Sequence, residues 1–98
     1  MFWNVEFRNR AKRQVGDLPL EVRERLFALV LEIKKRGPIR TAWPNYGKIK
    51  GKRDCHHCHL KKGKPTYVVV WKVTDKENKF VEVRYVGTHE NADYGRIC

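Results

Sequence analysis

Three of the four histidines and two of the three cysteines lie in one stretch, residues 54–60, which reads Asp-Cys-His-His-Cys-His-Leu. Thiolates and imidazoles are ligands that zinc prefers, and imidazoles also exchange protons near neutral pH. The composition of the stretch therefore leaves a metal site and a proton-transfer site open. A third interpretation, in which the histidines are ordinary residues of a half-exposed strand, requires no chemistry.

The spacing of the two cysteines argues against a metal. Side chains alternate between the two faces of a strand, so Cys55 and Cys58 should point in opposite directions. A zinc knuckle has a turn with glycine between its cysteines, whereas two histidines fill the gap here, and no second ligand pair follows downstream. We therefore expect no bound metal and no other cofactor.

The same alternation divides the stretch into two sets: Cys55, His57 and His59 on one face, and His56, Cys58 and Leu60 on the other. Leu60 marks the second set as the packing face. His57 and His59 then project from one surface, about 7 Å apart by strand geometry.

Two imidazoles beside basic residues can cleave RNA without a metal. One imidazole takes the proton of a ribose 2′-hydroxyl, whose oxygen attacks the adjacent phosphorus. Cations stabilise the charge of the transition state, and an acid protonates the leaving 5′-oxygen.

The composition favours a polyanionic partner. Lys and Arg total 22 against 11 Asp and Glu, which gives a formal net charge of +11 in 98 residues. Nucleic acid and an acidic protein both fit such a charge, and a membrane surface fits less well. The basic run contributes Lys48, Lys50, Lys52 and Arg53. Whether this run contacts phosphate or is only solvated surface stays open.

The length and the cysteine count set further limits. The chain suffices for one domain, residues 1–98. No apolar run approaches the ~18 residues of a membrane span, and the first residues do not resemble a signal peptide, which favours the cytoplasm. Three cysteines cannot all pair with one another, so we expect free thiols in a reducing compartment.

The surrounding elements predict an α+β fold. A strand is expected at 3–7, a short helix within 9–16, a loop over 39–53, and strands at 55–60, 67–73 and 80–86. The main helix should begin with Asp17 as N-cap and Pro19 in its first turn, and end at Gly37. Its apolar face should comprise Val22, Leu26, Leu29, Val30 and Ile33, widened by Phe27, Ala28 and Leu31. Its exposed side should carry the pairs Glu21–Arg25 and Glu32–Arg36.

The whole chain resembles the RelE/ParE superfamily of small bacterial toxins from toxin–antitoxin modules. The resemblance lies in the β-α-α-β-β-β order, the stretch 54–60, the strand 67–73, and Val86-Gly87-Thr88-His89 followed by Asp93-Tyr94. It implies a mostly antiparallel four-stranded sheet packed on N-terminal helices. It is closer to the RelE and HigB type, which are ribosome-dependent mRNA endonucleases, than to the ParE type, which poisons DNA gyrase.

The resemblance also implies site residues. His57 and His59 match two basic active-site positions of the second strand, and His89 matches the basic residue after the glycine that ends the fourth strand. Tyr94 matches a tyrosine that stacks on a base or helps proton transfer, and Asp93 lies beside it. The arginine that often follows the tyrosine of the third strand is absent, because Val68 follows Tyr67, and Arg84 is a replacement on a neighbouring strand.

These matches give the roles that we expect. His57 or His59 acts as general base and His89 as general acid. Lys48, Lys50, Lys52, Arg53 and Asp93 bind RNA. The partners implied are a cognate antitoxin with an acidic segment, the ribosome and mRNA, with no membrane. A gyrase inhibitor and a zinc-dependent nucleic-acid-binding module are the alternative functions.

Overall fold

A computed structural model describes residues 2–98 as one sheet with one helical layer. The elements are β1 (Asn4–Phe7), α1 (Asn9–Gly16), α2 (Leu20–Arg36), β2 (Gly47–Lys48), β3 (Cys55–Lys61), β4 (Tyr67–Asp75), β5 (Phe80–Thr88), a 3₁₀ turn (His89–Asn91) and α3 (Tyr94–Ile97). The sheet order is β1-β5-β4-β3-β2, with β1 parallel to β5 and the other neighbours antiparallel. The predicted α+β class is confirmed, and the predicted elements occur in the predicted order, to which the structure adds β2, the 3₁₀ turn and α3.

The sheet has five strands instead of the predicted four. The additional strand, β2, lies inside the predicted loop 39–53 and pairs Gly47 with His57 and Lys48 with His56. A strand of two residues is too short to show an alternating pattern in the sequence, so it could not be predicted. It forms by pairing with the edge of β3.

The start of α2 differs from the prediction. Asp17 ends α1, where its N–H donates to the Gln14 carbonyl and the Leu18 N–H donates to the Val15 carbonyl, and extended Pro19 is the N-cap of α2. Asp17 cannot be both the C-cap of α1 and the N-cap of α2, because α1 runs to Gly16 and three residues separate the two helices.

The apolar face of α2 is narrower than predicted. Its five main residues are buried as expected, but the side chains of Phe27 and Leu31 are 51% and 52% exposed. Ala28 is exposed as well. Helices α1 and α2 lie on one face of the sheet, and no second layer within residues 2–98 covers the outer side of α2. The Glu21–Arg25 pair forms, whereas Glu32 pairs with Arg40 instead of Arg36.

The helix side of β3 is anchored by a buried polar network. The Tyr46 hydroxyl and His56 Nδ1 share a hydrogen bond of 2.8 Å, and the His56 ring stacks on Trp71 at 5.7 Å between centroids. Trp71 Nε1 donates to the Pro38 carbonyl at 3.1 Å. Burial, aided by the charge of Lys48, lowers the pKa of His56 to about 4, so this imidazole is neutral. The network ties β3 and β4 to the loop that follows α2.

We expect Tyr46→Phe to lower the free energy of unfolding by about 1–3 kcal/mol, because it leaves buried Nδ1 of His56 without its partner. Urea denaturation measures the effect. Tyr67→Phe is the matched control, since no hydrogen bond of the Tyr67 hydroxyl is seen within residues 2–98. Equal unfolding free energies for the two variants would show that the network does not stabilise the fold.

Candidate active site

β3 places its histidines on two faces, as the alternation predicts. Cys58 and Leu60 belong to the core between sheet and helices, and His56 is 2% exposed. His57 and His59 are only partly buried on the other face, opposite Val70 and Val68 of β4. His57 and His59 are therefore the cross-strand neighbours of two fully buried valines of β4.

The segment 89–98 runs over these histidines in the reverse direction of β3. The rings of His59 and His89 meet edge to face, with centroids 5.7 Å apart. The rings of His57 and Tyr94 are 5.4 Å apart. The four aromatic side chains that the sequence singled out thus lie in two touching pairs on one surface.

The surroundings of His57 and His59 favour their neutral forms. Burial lowers the pKa of His57 below its ordinary value of 6.5, and the charge of His89 lowers it further. Burial, then His89, His57 and Lys62, lower the pKa of His59. Nδ1 of each ring is buried without a hydrogen-bond partner within residues 2–98. Neutral imidazoles with free nitrogens can accept protons at neutral pH.

Tyr94 contributes a protonated hydroxyl. Burial raises the pKa of Tyr94 above 10.0, with a smaller effect from Tyr85. Asp93 is exposed and caps α3, because its Oδ1 accepts a hydrogen bond of 3.3 Å from the Arg96 N–H. The structure thus gives Asp93 a local structural role, and its RNA-binding role stays a prediction.

Arg84 is engaged away from the histidine pairs. Its Nε donates to Glu82 at 2.9 Å and its Nη1 to the Ile97 carbonyl at 3.4 Å. The side chain is only 14% exposed. This arginine holds the segment that carries Tyr94, and both contacts would have to break before it could meet a phosphate.

The predicted RNA-binding cations separate into two groups. Lys48 pairs with His56, so it lies on the opposite face from His57 and His59. Lys50, Lys52 and Arg53 are exposed in the loop that leads into Cys55. That loop lies at the Cys55 end of β3, and its Ile49 packs on the apolar cluster of the histidine face.

A further cation beside the histidines was missed by the sequence analysis. The charge of Lys62 acts on His59, and both residues line a groove of about 350 Å³ together with Arg25 and Lys61. Arg25 and Lys61 are paired with Glu21, whereas Lys62 forms no ion pair within residues 2–98. The signal was present, because Lys62 follows the predicted strand by two residues.

The expectation of three free thiols is wrong. Cys55 and Cys98 form a disulfide, and only Cys58 is free. An odd count excludes complete pairing but permits one bridge, and the fold brings together two cysteines separated by 43 residues.

Residues 2–98 contain neither a cluster of metal ligands nor a helix that could span a membrane. No group of three or more His, Cys, Asp and Glu side chains that could hold a metal ion occurs there. Within the same residues, no helix is long and apolar enough to cross a membrane.

We expect Tyr94→Ala to raise the pKa of His57, because water then reaches the imidazole, and to leave that of His59 unchanged. His89→Gln should raise the pKa of both histidines, because it removes a charge that acts on each. Imidazole NMR signals followed against pH measure both effects. An unchanged pKa of His57 in Tyr94→Ala would contradict the pairing of these two rings.

No protein-family model and no curated protein matches the sequence. Solved structures do match. A mutant of the E. coli toxin RelE in the free state is 27% identical with a TM-score of 0.74, over 94% of this chain and 88% of that chain. RelE in the intact E. coli RelBE toxin–antitoxin complex is 27% identical with a TM-score of 0.69, over 91% and 99%. The archaeal RelE–RelB complex from Pyrococcus horikoshii shares the fold at 16% identity, with a TM-score of 0.70 over 94% and 100%. Together with the element order and the sheet, these neighbours place the chain in the RelE toxin superfamily.

Proposed function

We propose that this protein is the toxin of a toxin–antitoxin module and acts in the cytoplasm as a ribosome-dependent mRNA endonuclease. The observation that carries the proposal is the contact between the imidazoles of His59 and His89 on a surface that also holds His57 and Tyr94. Paired imidazoles are suited to the proton transfers of RNA cleavage, which need one base and one acid.

His59 is the general base in this proposal. Its lowered pKa keeps the ring neutral, so it can take the proton of the ribose 2′-hydroxyl. That oxygen attacks the phosphorus and forms a bond to it as the bond to the 5′-oxygen breaks. His89, in protonated form, gives its proton to the leaving 5′-oxygen. The two rings are close enough to flank one phosphodiester.

His57 and Tyr94 position the RNA. The Tyr94 hydroxyl remains protonated and donates a hydrogen bond to a phosphate oxygen, and its ring offers a stacking surface for a base. His57 supports the Tyr94 ring from below. We assign the general base to His59 and not to His57. The His59 ring contacts the proposed acid His89, whereas the His57 ring contacts Tyr94.

Protein cations take the place of a metal in this mechanism. Lys62 lies beside His59, forms no ion pair within residues 2–98, and can stabilise the charge that develops on the phosphate. The exposed cations Lys50, Lys52 and Arg53 lie at the other end of β3. The histidine row, which is His57 and His59 on the exposed face of β3, thus has positive charge near both ends. This arrangement suits an RNA backbone that runs along β3.

A cognate antitoxin is part of the proposal. The RelE chains of E. coli and Pyrococcus horikoshii were solved with RelB. By this likeness we infer a partner that restrains the toxin, and the net charge of +11 favours an acidic segment in that partner.

We expect His59→Ala and His89→Ala each to lower mRNA cleavage by about 10²–10⁴-fold, the usual contribution of one general acid or base. Purified variants are assayed on translating ribosomes, and growth arrest is followed in bacteria. Lys35→Gln on α2 is the control, because it removes one exposed positive charge away from the histidines and should keep full activity.

Two results would contradict the proposed endonuclease activity or its acid–base residues. Cleavage at the wild-type rate in both histidine variants would exclude the acid–base roles. Gyrase-dependent DNA breaks with intact mRNA would replace the endonuclease with a gyrase inhibitor.

We expect replacement of Lys50, Lys52 and Arg53 by Gln to weaken RNA binding at low salt. The slope of log affinity against log salt should become shallower by about 2, because each lost contact to a single strand contributes ~0.7. Filter binding with a short single-stranded RNA at several salt concentrations measures the slope. A slope equal to that of the wild type would show that this loop does not contact the backbone.

A further inference from the structure

The two side chains that contact the histidine row, Tyr94 and His89, lie on one short segment of the chain. Residues 89–98 contain one 3₁₀ turn and one helix of only four residues, α3. Isolated helices of this length are unstable in water, so α3 is held by what surrounds it. Tyr94 is the first residue of α3, and its place on His57 therefore depends on these surroundings.

The non-covalent contacts at the far end of the segment are few. Ile97 is buried on Val68, Val70 and Tyr85. Arg84 Nη1 and Lys72 Nζ each donate to a carbonyl of the segment, those of Ile97 and Cys98, but both distances are 3.4 Å. Hydrogen bonds of this length add little stability.

The covalent contact is of a different kind. The disulfide joins Cys98 to Cys55, which is fully buried and begins the strand that carries His57 and His59. The bridge thus connects the end of the segment directly to the catalytic strand. It removes the freedom of the segment to leave the sheet, independently of the weak contacts around it.

We propose that Cys55–Cys98 is a thiol–disulfide switch that holds Tyr94 on His57, and that a dithiol reductant such as a thioredoxin-like protein opens it. The oxidised form has the complete site. The reduced form releases the segment and loses Tyr94. The consequence for RNA cleavage rests on the proposed function, whereas the release of the segment does not.

The exchange proceeds in two balanced steps. A thiolate of the reductant attacks the sulfur of Cys98, which is a partly exposed residue whereas Cys55 is buried, and the Cys55 sulfur leaves as thiolate and takes a proton. The second thiol of the reductant then attacks the reductant's first sulfur, which is bonded to Cys98 in the mixed disulfide. Cys98 is released as a thiol. Two electrons and two protons pass from the dithiol to the protein, and the reductant ends as a disulfide.

The remaining cysteine does not interfere with this exchange. Cys58 lies in the core on the opposite face of β3. Burial raises the pKa of the Cys58 thiol to about 12, so it remains a poor nucleophile. In a reducing cytoplasm, disulfides of mesophilic proteins are usually transient and redox-sensing, which fits a switch better than a permanent brace.

Amide hydrogen exchange tests the release of the segment. The amides of Arg96, Ile97 and Cys98 are hydrogen-bonded to the carbonyls of Asp93 and Tyr94, so they report on α3. Alkylation and mass spectrometry first establish the disulfide state of each sample. We expect these amides to exchange at least tenfold faster in wild-type protein with dithiothreitol than without it.

Two variants are compared with the wild type, one that lacks the disulfide and one that keeps it. Cys98→Ser should exchange fast with or without dithiothreitol, while its β-strand amides keep wild-type protection. Cys58→Ala is the control, because it removes a cysteine but leaves the bridge, and it should respond to dithiothreitol like the wild type. Equal exchange of α3 in oxidised and reduced wild-type protein would overturn the switch.

The cleavage assay separates this proposal from the proposed function. We expect the reduced protein and Cys98→Ser to cleave at least tenfold more slowly than the oxidised protein. An unchanged rate despite release of α3 would overturn the control of the site by the bridge. If neither form cleaves RNA, the proposed function fails, and the exchange data alone decide whether the bridge holds the segment.

Discussion

The alternation of side chains along β3 is the constraint on which the rest of the site depends. Because successive residues point to opposite faces, one seven-residue strand contributes side chains both to the core and to the candidate site. His56, Cys58 and Leu60 face the helices, and His57 and His59 face the final segment. A shift of register by one residue would bury the latter two histidines and expose Leu60, so the apolar core also fixes the orientation of the site.

The two faces are held in different ways. On the helix side, the Tyr46–His56–Trp71 network and the apolar core hold β3 tightly. On the histidine side, the covering segment is held by buried Ile97, by a hydrogen bond of 2.8 Å from the His89 N–H to the Thr66 carbonyl, by two hydrogen bonds of 3.4 Å at its far end and by one disulfide. The strand that carries the candidate site is thus anchored in the core, whereas the segment that covers it depends on fewer contacts and on the disulfide, so in our proposal the segment can be released without unfolding the domain.

Periodicity predicted those features that depend on one element at a time. The division of β3, the buried face of α2 and the apolar strand β4 follow from local pattern, and the structure bears them out. The missed features depend on contacts between distant elements. β2 pairs with the edge of β3, and Cys98 meets Cys55 only once the sheet has formed. Leu31 is exposed because no layer within the described part of the chain covers that side of α2. The convergence of His89 with His59 came from the family resemblance, because spacing alone carries no information on it.

The most direct test of the account asks whether cleavage uses the ribose 2′-hydroxyl. Ribosomes are programmed with an mRNA that carries either ribose or 2′-deoxyribose at the single nucleotide before the scissile phosphate, and the oxidised protein is added. The account predicts cleavage of the ribose form and none of the deoxy form, because the nucleophile activated by His59 is missing. Equal cleavage of both forms would contradict the proposed histidine mechanism.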